Sequence, residues 1–417
     1  MGIKIISLKT GNSLYALNSQ KLLMPASNNK LFTCAAALQY LGPNYKFKTS
    51  VLKKENNLIL RGGGDPDLSI DRIDSLAAII SKKIKVIDTL FVDASFMDSL
   101  NYGQGWMWDE GAWWYAAPIS ALSLNDNCID FYVKPGELYK PAQITIYPET
   151  EYVQVINQSV TVNDTIDFQK LNIDRNWNNR TNIFTVKGEI LDTAKIDTFY
   201  RNIHDAATFS GYIFSGLLEK YGTKVKNISH RKEFRNVDTL ATHISDRLIV
   251  SAHNLMHESD NLTAELFVKA MAVSDSTNGN WKDGLRLIKT FLADSAEIDT
   301  SQIRLSDGSG VSRYTLTSAD QIIELLNYMY NSKNKDDFLF SLPSGGSEGT
   351  LKKRLESSNF KIKAKTGGLS GVSCLSGYIF SEKHGAVAFS ILMNGYIGTS
   401  SPFRNLQDRI VSTILYD

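Results

Sequence analysis

Two serines of one candidate active site lie 232 positions apart (259 − 27), and this separation constrains the fold more than any other feature of the sequence. They open the stretches Ser27-Asn28-Asn29-Lys30 and Ser259-Asp260-Asn261, and a third stretch, Lys365-Thr366-Gly367, follows. The three stretches supply a serine nucleophile, two lysines, a second hydroxyl and an amide, but no histidine. They therefore predict acyl transfer by a serine–lysine pair rather than by a Ser-His-Asp triad.

Length and charge limit how these stretches come together. A chain of 417 residues is too long for one typical core, so we expect two or three domains. Its 45 basic and 44 acidic side chains nearly cancel, which argues against nucleic acid or a membrane surface as a partner. No apolar run approaches the roughly 18–20 residues that span a bilayer, so we expect no transmembrane segment.

The N-terminal region already has the pattern of regular structure. Residues 3–6 and 13–16 predict a strand pair, and no signal peptide precedes them. Met1-Gly2 is either the start that remains after removal of a targeting segment or a genuine cytosolic start, and the sequence leaves both open. A helix is predicted to begin near Ser27 and to end at Gly42-Pro43, a clear stop signal.

The middle and last regions differ in pattern. Short strands separated by Asn- and Asp-rich turns predict a small all-β module at about 141–195. Amphipathic stretches at 261–273 and 281–292 precede a predicted hairpin of strands 377–381 and 386–393. The chain closes on an apolar helical stripe that we expect to pack on the sheet of this hairpin. The stripe consists of Pro402, Phe403, Leu406, Ile410 and Ile414.

Ser27 and Lys30 have the spacing of a nucleophile and its base. Residues i and i+3 lie on one face of a helix, so the side chains can touch if the helix starts at or just before Ser27. The positive field of a helix N-terminus, burial and another cation would each lower the pKa of the lysine, as a general base requires. Taken alone the pair is a weak signal, because Ser27 can equally be an N-cap.

Ser259-Asp260-Asn261 precedes an apolar helical run and has two interpretations. In a catalytic site, the hydroxyl of Ser259 relays a proton between two lysines, and the side chain of Asn261 donates to a substrate amide carbonyl. In the alternative, the stretch is only a helix cap.

Lys365 ends a strand-like row in which lysines alternate with less polar residues. Such a row is usually a solvated face or protects an edge strand. Here it ends in Thr-Gly-Gly, which lets a ligand backbone approach closely. Lys365 and Thr366 are then suited to hold a carboxylate, and the amide N–H of Gly368 can form an oxyanion hole with that of Ser27.

These three motifs, in this order, mark class A β-lactamases and penicillin-binding proteins. With its further motifs, the chain resembles the class C low-molecular-mass penicillin-binding proteins of type 4, which are D-alanyl-D-alanine carboxypeptidases and endopeptidases. The resemblance covers nearly the whole chain. It rests on Leu23-Met24-Pro25-Ala26-Ser27, Gly62-Gly63-Gly64-Asp65-Pro66, Gly105-Trp106-Met107-Trp108-Asp109, Ala117-Pro118-Ile119-Ser120-Ala121-Leu122, Asp307-Gly308-Ser309-Gly310, Ser312-Arg313-Tyr314, Glu348-Gly349-Thr350-Leu351, Gly371-Val372-Ser373 and Leu375-Ser376-Gly377-Tyr378.

The resemblance implies a multidomain α/β fold. Residues 1–48 and 245–417 would form the penicillin-binding, serine β-lactamase-like α/β/α sandwich, with a mainly antiparallel sheet. One inserted domain would use 49–140 and 196–244, and a smaller all-β domain 141–195, which explains the long gap. A class A β-lactamase would have a shorter gap and a Glu-x-x-Leu-Asn motif. Glu324-Leu325-Leu326-Asn327 is one residue too short for this motif, so we expect it to be structural.

The resemblance also implies roles for individual residues. Ser27 would be the nucleophile and Lys30 its base. Ser259 would be the proton relay and Asn261 a substrate ligand. Lys365 with Thr366 would bind the terminal carboxylate. A pocket for the amino-acid side chain of a stem peptide would use Asp109, Arg313, Ser370, Trp106 and Leu369. In the alternative interpretation of the pocket, Trp106 lies in the core, Asp109 is solvated, and Arg313 forms an internal ion pair.

The expected reaction is cleavage at D-Ala-D-Ala in peptidoglycan stem peptides or at their D-centred cross-links, with β-lactams acylating the same serine. We expect no cofactor, an extracytoplasmic or periplasmic location, and the capacity to form a homodimer. A β-lactamase or esterase and a non-catalytic peptidoglycan-binding protein are the alternatives.

His253 and His257 have a metal-ligand spacing, but the zincin pattern fails, so no metal is predicted. Cys34, Cys128 and Cys374 are expected to be buried thiols.

Overall fold

The computed structural model describes residues 1–230, 236–273 and 278–416. The strands in these ranges are β1 Gly2–Ser7, β2 Ser13–Leu17, β3 Lys48–Lys54, β4 Asn57–Arg61, β5 Val86–Asp93, β6 Cys128–Lys134, β7 Gln143–Tyr147, β8 Gln154–Val162, β9 Asn172–Arg175, β10 Ile183–Leu191, β11 Asp197–Asn202, β12 Lys224–His230, β13 Asp238–Ile244, β14 Ile362–Leu369, β15 Val372–Ser381 and β16 Gly385–Asn394. The α-helices are α1 Lys30–Tyr40, α2 Ile70–Ser81, α3 Ala206–Lys220, α4 Leu248–His257, α5 Asn261–Val273, α6 Trp281–Asp294, α7 Ala319–Asn331, α8 Lys335–Ser341 and α9 Ser401–Tyr416.

The chain divides into two compact units. The first consists of Met1–Lys46, Gly103–Met107 and Asp246–Asp417, and the second of Phe47–Tyr102 and Trp108–Ser245. The segment with Trp106 therefore groups with the first unit, although the sequence analysis assigned it to an inserted domain. The division of the inserted sequence into two domains stays a prediction.

An antiparallel five-stranded sheet organises the first unit, in the order β14-β15-β16-β1-β2. β15 and β16 are buried along most of their length because helices cover both faces of the sheet. On one face Phe389 belongs to the same apolar cluster as Val411 of α9. On the other, the hydroxyl of Tyr378 donates to the carbonyl of Leu326 in α7, at 2.8 Å. The predicted antiparallel α/β arrangement and its β15–β16 hairpin are confirmed.

The C-terminal helix α9 packs on this sheet as predicted, and Phe403, Ile410 and Ile414 of the predicted stripe are partly buried against its apolar cluster. The fully buried line is nevertheless Gln407, Val411 and Leu415, and Leu406 is 40% exposed. The hydrophobic pattern misses this line because it includes a polar residue. The amide of Gln407 is fully buried and donates to Oγ of Ser373 at 3.2 Å, which satisfies it inside the interface.

The second unit contains three sheets around one apolar core. The largest has the order β12-β5-β4-β3-β13 and mixes parallel and antiparallel pairs. Two three-stranded sheets, β8-β10-β9 and β11-β6-β7, complete the unit. β7 pairs with β6, so one sheet crosses the expected boundary near residue 141.

Two further expectations from the sequence concern single elements. Glu324 lies within α7, whose first turn is fixed by a capping box between Ser318 and Gln321, so the Glu-Leu-Leu-Asn stretch is helical as predicted. The thiols of Cys34, Cys128 and Cys374 are buried.

Among the described helices, none has both the length and the apolar character that crossing a membrane requires.

Candidate active site

Ser27 lies in a short 3₁₀ turn, Ala26–Asn29, that leads directly into α1. The α-helix thus begins at Lys30, three residues later than predicted. In a 3₁₀ turn, side chains at i and i+3 eclipse each other, so this geometry serves the predicted pair better than an α-helix does. Nζ of Lys30 donates to Oγ of Ser27 at 3.0 Å. The N-cap positions of the turn and of α1 are Pro25 and Asn29, so Ser27 is not an N-cap.

The ammonium group of Lys30 is completely buried and has three acceptors. Besides Ser27, it donates to Oδ1 of Asn261 at 2.6 Å and to the carbonyl of Ser309 at 2.9 Å. Burial lowers the pKa of Lys30 from 10.5 to about 8, and the charge of Asp260 is the largest of the opposing influences. A lysine with this pKa carries a proton at rest and can lose it near neutral pH.

Asp260 caps α5, which leaves its two neighbours to face the lysines. The carboxylate of Asp260 accepts from the backbone N–H groups of Leu262 and Thr263, at 3.2 and 2.7 Å. Ser259 has a φ of 61°, which is uncommon for a residue with a side chain. The cap is therefore Asp260, and the side chains of Ser259 and Asn261 meet the lysines, while the proton relay through Ser259 and the substrate contact of Asn261 stay predictions.

Lys365 points into the protein, unlike a lysine on a solvated face. Its side chain is completely buried in β14, and Nζ donates to Oγ of Ser259 at 2.9 Å and to the carbonyl of Thr366 at 3.1 Å. Burial, and then the charge of Lys30, hold the pKa of Lys365 well below its usual range. The structure thus brings all three motifs into one unit, with Lys365 in contact with Ser259 and Lys30 in contact with Ser27 and Asn261.

The two glycines after Thr366 have different surroundings. A Cβ on Gly367 would lie 2.7 Å from the carbonyl oxygen of Pro25, so the missing side chain makes room for the start of the 3₁₀ turn that contains Ser27. A Cβ on Gly368 would meet nothing within 4 Å. The expectation that a ligand backbone approaches closely at Thr-Gly-Gly stays a prediction, and Gly368 is the glycine that faces open space.

An open pocket of about 520 Å³ adjoins the end of β14. Thr366, Gly368 and Leu369 line one side, and Arg354 and Arg404 are also among its lining residues. Oγ1 of Thr366 donates to Oγ1 of Thr350, which lies in the same pocket wall. This arrangement offers room beside the residues predicted to bind a carboxylate, and the charge of Arg354 there is paired with Asp408, 2.6 Å away.

Sequence reasoning missed the role of Glu265. This carboxylate is completely buried in α5 and accepts from the backbone N–H groups of Gly308 and Ser309, both at 2.8 Å, and from Nε1 of Trp281 at 2.7 Å. Burial, reinforced by Asp307, raises the pKa of Glu265 to about 7. Glu265 thereby holds in place the loop whose Ser309 carbonyl binds Lys30. The signal in the sequence was the pair of charged residues, Glu265 and Lys269, within a mostly apolar helical run.

Asp307 organises the same loop from the other side. Its carboxylate accepts from the backbone N–H groups of Gly310 and Ser312, at 3.1 and 2.7 Å. It also accepts from Nε1 of Trp106 at 3.1 Å. This hydrogen bond connects Trp106, one of the predicted pocket residues, to the loop at Asp307. The motif that begins at Asp307 contributed to the family resemblance, but its role was not predicted.

The remaining predicted pocket residues lie in two different units. Arg313 donates from Nη1 to the carbonyl of Ser370 at 3.2 Å, and Leu369 precedes Ser370 at the end of β14. All three belong to the first unit with Trp106, whereas Asp109 belongs to the second and is exposed there. The pocket as a whole therefore stays a prediction.

Comparison with known proteins identifies the family. Residues 1–414 match the sequence model of the D-Ala-D-Ala carboxypeptidase 3 (S13) family. The chain belongs to this family, which confirms the resemblance deduced from the motifs. It is a serine-type D-Ala-D-Ala carboxypeptidase, since its relatives carry this name too.

Two relatives illustrate the extent of the similarity. The D-alanyl-D-alanine carboxypeptidase of Actinomadura sp. (strain R39) is 31% identical over 424 residues, which cover 95% of this chain and 78% of that protein. The crystal structure of penicillin binding protein 4 (dacB) from Haemophilus influenzae matches with a TM-score of 0.87 at 25% identity, over 100% of this chain and 96% of that one.

A more distant structure shares the fold alone. It is the penicillin G-acylated Bd3459 predatory endopeptidase from Bdellovibrio bacteriovorus, in complex with its immunity protein. It matches with a TM-score of 0.53 at 15% identity, over 99% of this chain and 92% of that one.

Gly310 provides a test of how tightly the loop that begins at Asp307 packs on the 3₁₀ turn that contains Ser27. It has a φ of 83°, and a Cβ would lie 1.9 Å from the carbonyl oxygen of Ala26. We expect Gly310→Ala to lower the free energy of unfolding by more than about 1 kcal/mol, from backbone strain alone, with the clash in addition. Gly368→Ala is the matched control and should leave stability unchanged. Equal stability of both variants in denaturant unfolding would contradict the described packing.

Proposed function

We propose that Ser27 is the nucleophile of this carboxypeptidase, which the substrate acylates. We propose that the substrates of the enzyme are peptidoglycan stem peptides ending in D-Ala-D-Ala. The observation that carries the proposal is the contact between Oγ of Ser27 and the buried Nζ of Lys30, at 3.0 Å with a lysine pKa of about 8. A serine needs a base within hydrogen-bond reach and with a pKa near the working pH, and Lys30 meets both conditions.

Acylation begins when neutral Lys30 accepts the proton of Ser27. The oxygen of Ser27 then attacks the carbonyl carbon between the two D-alanines. The N–H groups of Ser27 and Gly368 stabilise the oxyanion that forms. Loss of the terminal D-alanine as an amine requires a proton, which Lys365 supplies through the hydroxyl of Ser259, 2.9 Å from its Nζ.

Deacylation and substrate binding use the same groups. Acylation leaves Lys30 protonated and Lys365 neutral, and proton exchange with solvent restores neutral Lys30 and protonated Lys365. Water then attacks the ester carbonyl of the acyl-enzyme, and Lys30 accepts a proton from the water and passes it to the oxygen of Ser27 as that oxygen leaves. Before the reaction, Asn261 donates from its side-chain nitrogen to a substrate amide carbonyl, and the terminal carboxylate binds at Thr366 and Lys365. Peptides cross-linked through a D-centre place the same bond in the site, so we propose DD-endopeptidase activity as well.

The place of action follows from the substrate. Peptidoglycan lies outside the cytoplasmic membrane, so we propose an extracytoplasmic, periplasmic location for this chain. The homodimer stays a prediction without support from the comparisons.

β-Lactams resemble a D-Ala-D-Ala terminus and are proposed to acylate Ser27.

Acylation by a penicillin tests the nucleophile directly. We expect one covalent adduct per wild-type chain in intact mass spectrometry and none on Ser27→Ala, because the attacking oxygen is gone. Ser7→Ala is a matched control that removes another buried serine hydroxyl in the same unit, and it should be acylated. An undiminished adduct on Ser27→Ala would refute the assignment. A wild-type adduct that disappears within a turnover time would instead indicate a β-lactamase.

The pH dependence of acylation tests the base. Roughly a tenth of the Lys30 side chains are neutral at pH 7 if the pKa is about 8. The acylation rate should therefore rise with pH and level off above about 8. Asp260→Asn removes the largest charge that favours protonated Lys30 and retains a good N-cap, so the rise should move to lower pH. A rise that does not move would exclude Lys30 as the titrating base, as judged by stopped-flow acylation.

The pocket prediction has its own test. We expect Asp109→Ala to weaken cleavage of stem-peptide mimics that carry a side-chain amine more than cleavage of simple D-Ala-D-Ala peptides, because a carboxylate that pairs with the amine is lost. Glu110→Ala removes the same charge one position later and is the matched control. Equal losses of kcat/KM for both substrates in Asp109→Ala would remove Asp109 from the pocket.

A further inference from the structure

One peptide group connects the base of the proposed mechanism to a second buried carboxylate. The carbonyl of Ser309 accepts from Nζ of Lys30 at 2.9 Å. The N–H of the same peptide group belongs to Gly310, and it donates to Oδ1 of Asp307 at 3.1 Å. Lys30 in turn donates to Oγ of Ser27 at 3.0 Å. A continuous chain of hydrogen bonds therefore runs from this carboxylate to the nucleophile.

The loop that carries this peptide group is fixed to α1 and to the turn before it. Nδ2 of Asn29 donates to the backbone carbonyl of Asp307 at 2.9 Å. Oγ1 of Thr33 donates to the carbonyl of Gly308 at 2.7 Å. Both side chains are buried, so water does not compete for these two bonds. The carbonyl of Ser309 therefore keeps a fixed place relative to the helix that begins with the base.

The side chain of Asp307 is completely buried and is surrounded by donors. Its carboxylate accepts five hydrogen bonds, from the backbone N–H groups of Gly310 and Ser312, Nε1 of Trp106, and the hydroxyls of Ser309 and Thr315. A carboxylate only accepts hydrogen bonds when it is ionised, so such a set of donors fits a negatively charged group. The anion thus sits one peptide group away from the base.

The charge of Lys30 changes during the proposed reaction. The neutral amine takes the proton of Ser27 and becomes an ammonium group in a completely buried position. Acceptors that are already in place lower the energy of a charge that develops in such a site. A carbonyl accepts more strongly when the N–H of its own peptide group donates to an anion, because hydrogen bonds in a chain polarise one another.

We propose that Asp307 is a positioning residue of the acyl transfer, and this proposal rests on Lys30 being the base of Ser27. Asp307 orients and polarises the peptide group between Ser309 and Gly310. The carbonyl of this group then stabilises the ammonium form of Lys30 as the proton leaves Ser27. The aspartate of a Ser-His-Asp triad serves its histidine in a similar way, but by direct contact. Here a peptide group lies between the carboxylate and the base.

Other charges act on the base and have to be separated from this effect. Burial lowers the pKa of Lys30 to about 8, and three charges oppose it, in decreasing order those of Asp260, Glu265 and Asp307. The ammonium group of Lys365 is also close, since the charge of Lys30 lowers its pKa after burial does. The carboxylate of Asp260 caps α5, so it acts on Lys30 through its charge and not through the Ser309 carbonyl. The two aspartates should therefore differ in their effects.

The pH profile of acylation by a penicillin tests this difference. Asp307→Asn keeps the size of the side chain and removes its charge. We expect the plateau rate at high pH to fall at least about tenfold, because the ammonium form of Lys30 loses a polarised acceptor. The rise should move to lower pH, but by less than in Asp260→Asn, since the charge of Asp307 has the smaller effect on Lys30. Asp260→Asn should keep the higher plateau of the two.

Thr315→Val is the matched control for the loop. It removes the hydroxyl that donates to Asp307 at 3.1 Å and retains the carboxylate. Its plateau and the pH of its rise should stay near those of the wild type. A loss in Thr315→Val equal to that in Asp307→Asn, or a wild-type profile in Asp307→Asn, overturns the proposal. Absence of acylation at Ser27 in the wild type would refute the proposed function, and this inference with it.

A measurement on the wild type tests the peptide group without any substitution, and it applies even if Asp307→Asn does not fold. Labelling of serine carbonyls and glycine nitrogens selects Ser–Gly peptide groups in nuclear magnetic resonance spectra. We expect the amide proton of Gly310 to move upfield as Lys30 loses its proton, because the peptide group loses polarisation. Gly211 in α3 also follows a serine and is the control, and its resonance should not change. A Gly310 resonance that stays constant across the pKa of Lys30 overturns the proposal.

Discussion

The buried ammonium group of Lys30 is the constraint on which the rest of the catalytic unit depends. A cation without water requires acceptors on every side, and the fold supplies them from three separate segments: the turn with Ser27, the first residue of α5 and the loop at Ser309. Each segment needs its own fixing. The loop is fixed by Glu265 through two backbone N–H groups, and α5 begins where Asp260 caps it. The geometry around the nucleophile is therefore a result of satisfying one buried charge.

The second lysine changes the balance in the site. Lys365 is equally buried and donates to two acceptors, and after burial the charge of Lys30 lowers its pKa further. Two positive charges in one water-poor site favour the loss of a proton from the pair, so their titration is a property of both lysines together. This explains physically how a site without histidine can hold a neutral amine close to neutral pH.

Sequence alone predicted the parts of the site whose function is local. The spacing of Ser27 and Lys30 predicted their contact, and the alternation that ends in Lys365 identified a strand, but only the order of the three motifs and the family resemblance assigned them to one site. Glu265 was missed because its partners lie in a loop that the sequence places far away. The predicted stripe on α9 was incomplete for a related reason, because hydrophobic patterns do not register a buried amide such as that of Gln407.

The sheet that carries Lys365 has a consequence for how the chain folds. Its inner strand β1 comes from the first residues and pairs with β16 near the end, so β1 cannot find this partner until almost the whole chain has been synthesised. The second unit reduces the difficulty. Its first strand β3 and last strand β13 pair so that Lys48 lies opposite Ile244, which places the entry and exit of nearly two hundred residues side by side. If that unit forms first, as its synthesis ahead of residue 246 allows, the entropic cost of joining β1 to β16 becomes that of a far shorter effective loop.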